Sequence, residues 1–590
     1  MPQKQKLELT WIGKENRPKL EPRILIEDPA KSYHAGHRVT QNDIFDNILI
    51  HGDNLLALKA LEQEYTGKVK CIYIDPPFNT GEAFEHYDDG VEHSIWLSLM
   101  RDRLAILYQL LSNDGTLFVH IDDNELGYLI VLLDEIFGRK NRQYIITFKQ
   151  GAATGHKSIN PGCVNTTNFL LIYCHNKSVW NPNKIFTSRS RDNRYNQFIV
   201  NRNDAFSDWI FSTLVDAFAK NENLTAKEAK KIIKEAPDYL NKFVLTHAES
   251  VVRLARPDYK AVSEAAREAI DLSKREISKV IYLRRDNYSD MYFIRGERIL
   301  FYSDKLKTID GEYVAGEPLT TLWDDLLSNN LHNEGDVKFP KGKKPESLIK
   351  RIFELATNPG DIVLDSFLGS STTAAVAHKM GRRWIGIELG DHCYSHCIPR
   401  LKKVIDAEDQ GGISKAVNWK GGGGFRFYEL GPSLIKEDEW GNPVINPGFN
   451  AAMLAEALCK LEGFQSAPSD EVYWIHGHST ETDFIYVTTQ FMSRAMLEKL
   501  SHDVGENRSL LICCSAFMGD PLMFPNLTIK KIPNAVLKKC EWGHDDYSLE
   551  VRNLPDAPVM ADPEPEPAAE KKDRISGKSR DKQMTLFNED

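Results

Sequence analysis

The sequence predicts an α/β protein: a mostly parallel sheet with helices on both faces, split by a long insertion and followed by a separate mixed domain. Three observations carry this expectation. Between residues 47 and 137 short apolar runs alternate with helix-spaced apolar patterns, as in successive βαβ units. The rhythm stops from about 181 to 330 and resumes at Lys344. A chain of 590 residues also exceeds what one hydrophobic core can organise, at about 150 residues per domain.

Taken in order, residues 1–46 form an N-terminal extension whose first 19 residues are polar and mixed in charge. They offer no apolar stretch for a secretory signal, so a cytoplasmic location is expected. Ile48 to Ile50 reads as a strand and Leu55 to Tyr65 as a helix. Lys70 to Ile74 is a second strand, stopped abruptly by Asp75-Pro76-Pro77. Ile95 to Leu111 has apolar residues at helical spacing, Asn113-Asp114-Gly115 is a turn, and Thr116 to Ile121 a further strand. Residues 47–180 are thus one half of an α/β unit, and 181–330, rich in Arg, Asn and Tyr with a charged helix near Ala226 to Ala236, are an insertion. The second half, 331–430, holds a helix from Lys344 to about Leu355, a strand at Ile362 to Leu364, a helix from about Ser371 to Met380 and a strand at Trp384 to Ile387. Gly421 to Gly424 read as a flexible loop entering a strand. A C-terminal domain (431–554) and a disordered, charged tail (555–590) complete the chain.

The composition, 42% hydrophobic and 27% charged, is that of an ordinary globular chain, and no apolar run approaches the roughly 20 residues of a membrane span. A net charge of -10 speaks against uniform attraction to nucleic acid, but local patches decide that question. Arg189, Arg191, Arg194 and Arg202 interleave with Tyr195 and Phe198; Arg284 and Arg285 precede Tyr288, Tyr292 and Arg295. Each patch suits either a solvated face or DNA. Nine cysteines without a C-x-x-C pair fit reduced thiols. His392, Cys393, His396 and Cys397 fall within about one and a half helical turns, with no second cluster to close a zinc site, so packed helix residues are expected and no metal.

Two stretches carry chemistry. In Asp75-Pro76-Pro77-Phe78 the prolines remove two N–H donors and leave acceptors: the Asp75 carboxylate and the Pro76 carbonyl can take both hydrogens of an amino group while Phe78 offers a face for stacking. Such a site suits a base turned out of its helix. The second is Asp365-Ser366-Phe367-Leu368-Gly369-Ser370-Ser371, a small-residue loop between a strand and the start of a helix, where backbone N–H groups face the strand tip. About twenty residues beyond this loop stands Glu388, an acceptor suited to ribose hydroxyls.

The first stretch resembles the catalytic motif of amino-methylating DNA methyltransferases, with Phe where Tyr is usual, and its extension Asn79-Thr80-Gly81 sharpens the match to the modification subunits of type III restriction-modification systems. The second resembles the cofactor loop of that family, Phe-x-Gly-x-Gly, with Phe367 and Gly369 in place and Ser371 at the second glycine. Asp53, after the first strand, resembles the contact to the cofactor's adenine; Lys344-Pro345 resembles the motif closing over its methionine end. The order of motifs is that of the β class. The resemblance implies a Rossmann-like methyltransferase fold with S-adenosyl-L-methionine as cofactor, methyl transfer to N6 of a flipped adenine in double-stranded DNA, and 181–330 as the target-recognition region. It further implies a homodimer joined to a restriction (helicase-nuclease) subunit.

Methylation of the cytosine amino group and a mainly scaffolding role beside a nuclease-translocase remain as alternatives; no Pro-Cys pair for cytosine-ring attack and no Walker loop occur. In the tail, Gln583, Leu586 and Phe587 resemble the bacterial sliding-clamp-binding peptide, which implies the clamp as a partner.

Overall fold

A computed structural model describes residues 8–78, 93–151, 163–286, 288–309, 311–326, 334–335, 339 and 342–547. The expected motif extension at residues 79–81 and the tail peptide at 583–587 lie outside them. The central elements, in chain order, begin with β1 (Asn47–His51), α1 (Asn54–Tyr65), β2 (Val69–Ile74), α2 (His93–Leu110), β3 (Leu111–Ile121), α3 (Leu126–Leu133), β4 (Arg142–Lys149) and β5 (Thr167–Cys174). After the insertion come β6 (Leu322–Trp323), α4 (Glu346–Ala356), β7 (Ile362–Asp365), α5 (Thr372–Lys379), β8 (Arg383–Glu388), α6 (Ile398–Ile405) and β9 (Gly424–Leu430).

These strands form one sheet in the order β9-β1-β8-β7-β2-β3-β5-β4-β6. The six from β9 to β3 are mutually parallel, while β5 runs antiparallel to both β3 and β4. Two runs far apart in sequence, β2 and β7, are thereby neighbours, with Val363 beside Cys71 and Leu364 beside Ile72. Alternation along β2 shows why the sheet is covered on both sides. Cys71 and Tyr73 point to a core with Leu348, Ile352 and Phe353 of α4, whereas Ile72 and Ile74 point to one with Leu58, Met100 and Leu104 of α1 and α2. Helix α1 starts where predicted because the Asp53 side chain accepts a hydrogen bond from the Leu56 N–H at 3.0 Å.

Three local expectations need correction. The turn expected at 113–115 is a bulge inside β3: the register jumps from Val69 opposite Leu111 to Cys71 opposite Thr116. The return from the insertion comes earlier than residue 330, since β6 already lies parallel to β4, with Leu322 beside Thr147. And Gly421 to Gly424 are buried, not a flexible loop. A Cβ at Gly421 would come within 2.7 Å of the Ile405 carbonyl oxygen and one at Gly423 within 2.6 Å of that of Ile44, so the glycines are there because backbone passes backbone too closely for a side chain.

The insertion has its own order: a six-stranded antiparallel sheet that includes Val251–Ala255 and Glu297–Phe301, flanked by helices such as Ala226–Glu235 and Glu264–Arg275. Beyond β9, a five-stranded sheet and the helices Ala451–Glu462 and Arg494–Val504 make a second α/β layer. The N-terminal segment is tied into both parts: Leu25–Glu27 pairs with β9, and Ile24 packs with Leu454 and Leu458.

Candidate active site

Four of the parallel strands end on the same edge of the sheet, and the residues singled out from the sequence stand at their tips: Asp53 beyond β1, Asp75 beyond β2, Asp365 at the end of β7 and Glu388 at the end of β8. In open α/β sheets the crevice outside the carboxyl ends, where strand order reverses, is where ligands bind. That reversal lies here between β7 and β2.

On the β2 side, burial pushes the Asp75 carboxyl above its ordinary value, and the Lys344 ammonium pulls against that shift. Oδ2 of Asp75 holds Lys344 Nζ, while Oδ1 is buried with no hydrogen-bond partner among the described residues. Lys344 Nζ also lies 5.2 Å from the centre of the Phe78 ring, a cation-π contact. Phe78 is half-buried, 5.8 Å from the imidazole of His120. His120 is itself fixed by the Tyr73 hydroxyl at Nδ1 and by Asn168 at Nε2, both 3.1 Å, and burial holds its pKa well below the usual value, so it is neutral. Trp96 Nε1 donates to the Pro77 carbonyl at 2.7 Å and anchors the second proline. Pro76 accepts nothing from the described residues, which leaves its carbonyl and Asp75 Oδ1 as two open acceptors beside one aromatic ring.

On the β7–β8 side the contacts are mostly to backbone. Glu388 Oε2 accepts from the Gly369 N–H at 2.7 Å, and Oε1 accepts from the Leu389 and Gly390 N–H groups at 2.9 and 3.0 Å; His392 Nε2 lies 3.0 Å from Oε1. Asp365 Oδ1 accepts from Phe367 N–H at 2.9 Å; burial, aided by the charges of Asp75 and Glu388, pushes its carboxyl up to about 7. Ser371 caps α5 in the left-handed region, φ 62°, a conformation that explains why glycine is the usual residue there. Its hydroxyl and that of Ser366 are buried without partners among the described residues. The backbone of the loop is gripped from below. Arg400 donates to the Ser370 carbonyl at 2.9 Å, and the Cys397 thiol donates to that of Gly369 at 3.1 Å. The His and Cys cluster therefore sits behind the loop, and no metal-holding group of His, Cys, Asp or Glu occurs among the described residues.

Two predicted residues make contacts of their own within the chain. Asp53 is buried and committed to protein contacts: besides capping α1, it bonds Arg103 Nη2 at 3.3 Å and the Tyr547 N–H at 3.0 Å. Lys344, expected over the methionine end of a cofactor, stands on Asp75, while Pro345 opens α4. The residues that sequence reading passed over, His120, Arg103, Arg400 and Tyr547, act through contacts across long chain separations. Only His120, at the tip of a predicted strand, left a signal that could have found it.

The DNA methylase family model matches residues 69–397, more than half of the 590-residue chain and both tips of the site. Among curated relatives, the probable type III restriction-modification enzyme HindVI Mod subunit of Haemophilus influenzae is 37% identical over 411 residues, 66% of this chain and 54% of that protein. The EcoPI Mod subunit of Escherichia phage P1 is 27% identical, covering 64% and 61%. The matched region thus spans little more than half the length of these relatives. A solved structure, the M1.HpyAVI–SAM complex, aligns with 60% of this chain at 15% identity and a TM-score of 0.28. On the strength of the match across 69–397, the chain belongs to the DNA methylase family whose members modify the N6 or N4 amino group.

Proposed function

We propose that this protein is a site-specific DNA methyltransferase that transfers a methyl group from S-adenosyl-L-methionine to N6 of a flipped adenine. The observation that carries this reading is the adjacency of the Asp75–Phe78 tip and the Asp365–Glu388 tip on neighbouring parallel strands in a chain of that family. The residues on the β7–β8 side fit the cofactor: a buried acidic residue at the strand tip for ribose hydroxyls, and two buried serine hydroxyls around the loop without partners among the described residues. Glu388, Gly369, Ser371 and Phe367 would hold it, and when bound it supplies an electrophilic methyl group on a sulfonium. Phe78 stacks on the adenine; Asp75 Oδ1 and the Pro76 carbonyl accept its two amino hydrogens and aim the nitrogen lone pair at the methyl carbon. Transfer would form the N–C bond as the cofactor's sulfur–methyl bond breaks, with the bond's electron pair left on sulfur. The nitrogen's excess proton passes to Asp75, whose burial raises its basicity.

The Mod subunits among its relatives support a place as the modification and recognition subunit of a type III system, with DNA contacts supplied by the insertion. There Arg202 lies 4.4 Å from the Trp209 ring and 4.8 Å from that of Phe301, and Arg285 lies 5.1 Å from the exposed Tyr288 ring. Such flat cation–aromatic pairs suit nucleic acid. Arg194 is paired with Asp192 at 2.7 Å.

The test is transfer of labelled methyl to plasmid DNA by the intact protein and by Asp75→Ala, followed by nucleoside analysis. N6-methyladenine from the intact protein alone is the expected result. N4-methylcytosine would replace the base assignment, and no incorporation despite cofactor binding would point to a recognition subunit without chemistry of its own.

A further inference from the structure

Lys344 has no task in the reaction just described, yet its ammonium stands on the same carboxylate where that reaction places an amino group. It bonds Oδ2 of Asp75, lies over the face of Phe78 at 5.2 Å, and is buried. The carboxylate and the aromatic face are the two groups that reaction uses, with the amino group on Oδ1 and the base ring on Phe78.

The position of Lys344 is built rather than accidental. It stands two residues before the first residue of α4, Glu346, which is fully buried and bonded to Lys379 at 2.9 Å, to Arg400 at 2.8 Å and to the Ile413 N–H at 3.1 Å. Lys379 also bonds Asp409 at 2.7 Å, and the Glu346 N–H donates to Glu334 at 2.9 Å. A buried ion cluster of this kind fixes geometry more than it adds stability. Here it pins the turn that aims Lys344 across the gap between α4 and β2. The same Arg400 grips the cofactor loop, so one cluster sets both the loop and the lysine.

We propose that Lys344 is a positioning residue for methyl transfer: in the free enzyme its ammonium, on Oδ2, holds the Asp75 carboxylate ionised with Oδ1 open to the target amino group, and it gives up the face of Phe78 as the base enters. The inference rests on the reading of Asp75 as the amino-group acceptor. Among the described residues, the titratable groups around Asp75 are Lys344, Tyr73, His120 and Asp365. Tyr73 is held far above its usual value by burial and then by Asp75, while His120 is neutral, so Lys344 is the one cation that opposes the burial shift of Asp75. Without it, Asp75 in the free enzyme protonates at higher pH and loses one of its acceptor functions.

The experiment measures kcat/KM for plasmid methylation from about pH 6 to 9, which reports free-enzyme ionisation, and the calorimetric Kd for S-adenosylmethionine. Both are read in the intact protein, Lys344→Gln and Lys344→Arg. Lys344→Gln is expected to lose activity by about tenfold for each unit its carboxyl rises, most at the acid end, and to recover as pH increases. Its cofactor Kd stays within about threefold of the intact protein, and Lys344→Arg, which keeps the charge, retains the original profile. A loss equal at every pH, a weakened cofactor Kd in place of a shifted profile, or no loss at all would each overturn the proposal. Should the Gln variant not fold, a pH-dependent loss in a folded Lys344→Arg would overturn it, and the original profile there would support it. Absence of methylation by the intact protein would instead remove the underlying reading, a result separable from all of these.

Discussion

The two strand tips that make the site are built on different principles. At the end of β2 the work falls to side chains: the Asp75 carboxylate, the Phe78 ring, the Lys344 ammonium, with two prolines clearing away N–H donors. At the ends of β7 and β8 it falls to backbone: amides of Phe367, Gly369, Leu389 and Gly390 converge on two carboxylates, and a serine in the left-handed region turns the chain into α5. A tip made of side chains can be altered by one substitution without moving its neighbour. A tip made of backbone tolerates changes in side-chain type as long as the turn and the carboxylates that gather its amides are kept. The contrast predicts a separation between loss of chemistry and loss of cofactor binding.

The largest effect is expected from Asp75→Ala, which in the proposed reaction removes the acceptor that aims the amino nitrogen and takes its proton. Initial rates of methyl transfer should fall by about a hundredfold to ten-thousandfold. Next is Glu388→Ala. It unfastens the amides of Gly369, Leu389 and Gly390 together with a charge-assisted acceptor, and hydrogen bonds to charged groups contribute about 1.5–3 kcal/mol, so cofactor affinity should weaken by about tenfold to a hundredfold in a calorimetric titration. Phe78→Ala should raise KM for DNA by the loss of about 1–3 kcal/mol of base stacking, while Phe78→Tyr keeps the face and should leave KM nearly unchanged; steady-state kinetics with plasmid substrate decide this.

Two smaller effects sharpen the backbone side. The Asp365 carboxyl at about 7 stands above its ordinary value of 3.8, so the folded state binds its proton more tightly than the unfolded chain. Stability should therefore be greatest below about pH 4 as far as this group is concerned, and be lost as pH rises to about 7. Asp365→Asn should flatten that part of the melting-temperature profile. Ser371→Gly relieves a left-handed residue and removes a buried hydroxyl without a partner, and denaturant melts should show a gain of about 1 kcal/mol. A loss of stability there would mean that the serine hydroxyl contributes to the loop in the free protein.

Much of this was legible in the sequence, because strand tips are punctuated locally. Prolines after Ile74, the small residues after Asp365 and the acid after Ile387 each mark an end, and the motif order joined them into one fold. What could not be read depends on contacts between distant segments. Nothing in the neighbourhood of Lys344 reveals that it lies on a carboxylate 269 positions earlier. Nothing near Asp53 announces that Arg103 and Tyr547 will claim its oxygen. The glycines 421–424 have a composition that reads as a flexible loop, and only the backbones of Ile44 and Ile405 pressing on them show the opposite. β6, two residues long, is too short to carry any periodicity of its own.

The division of labour between the tips is tested most directly by one calorimetric titration with S-adenosylmethionine, made on the intact protein, Asp75→Ala and Glu388→Ala. The account predicts that Asp75→Ala binds within about threefold of the intact protein while Glu388→Ala weakens by about tenfold or more. Equal weakening in both, or loss in Asp75→Ala alone, would contradict the account and place the cofactor on the β2 side of the crevice.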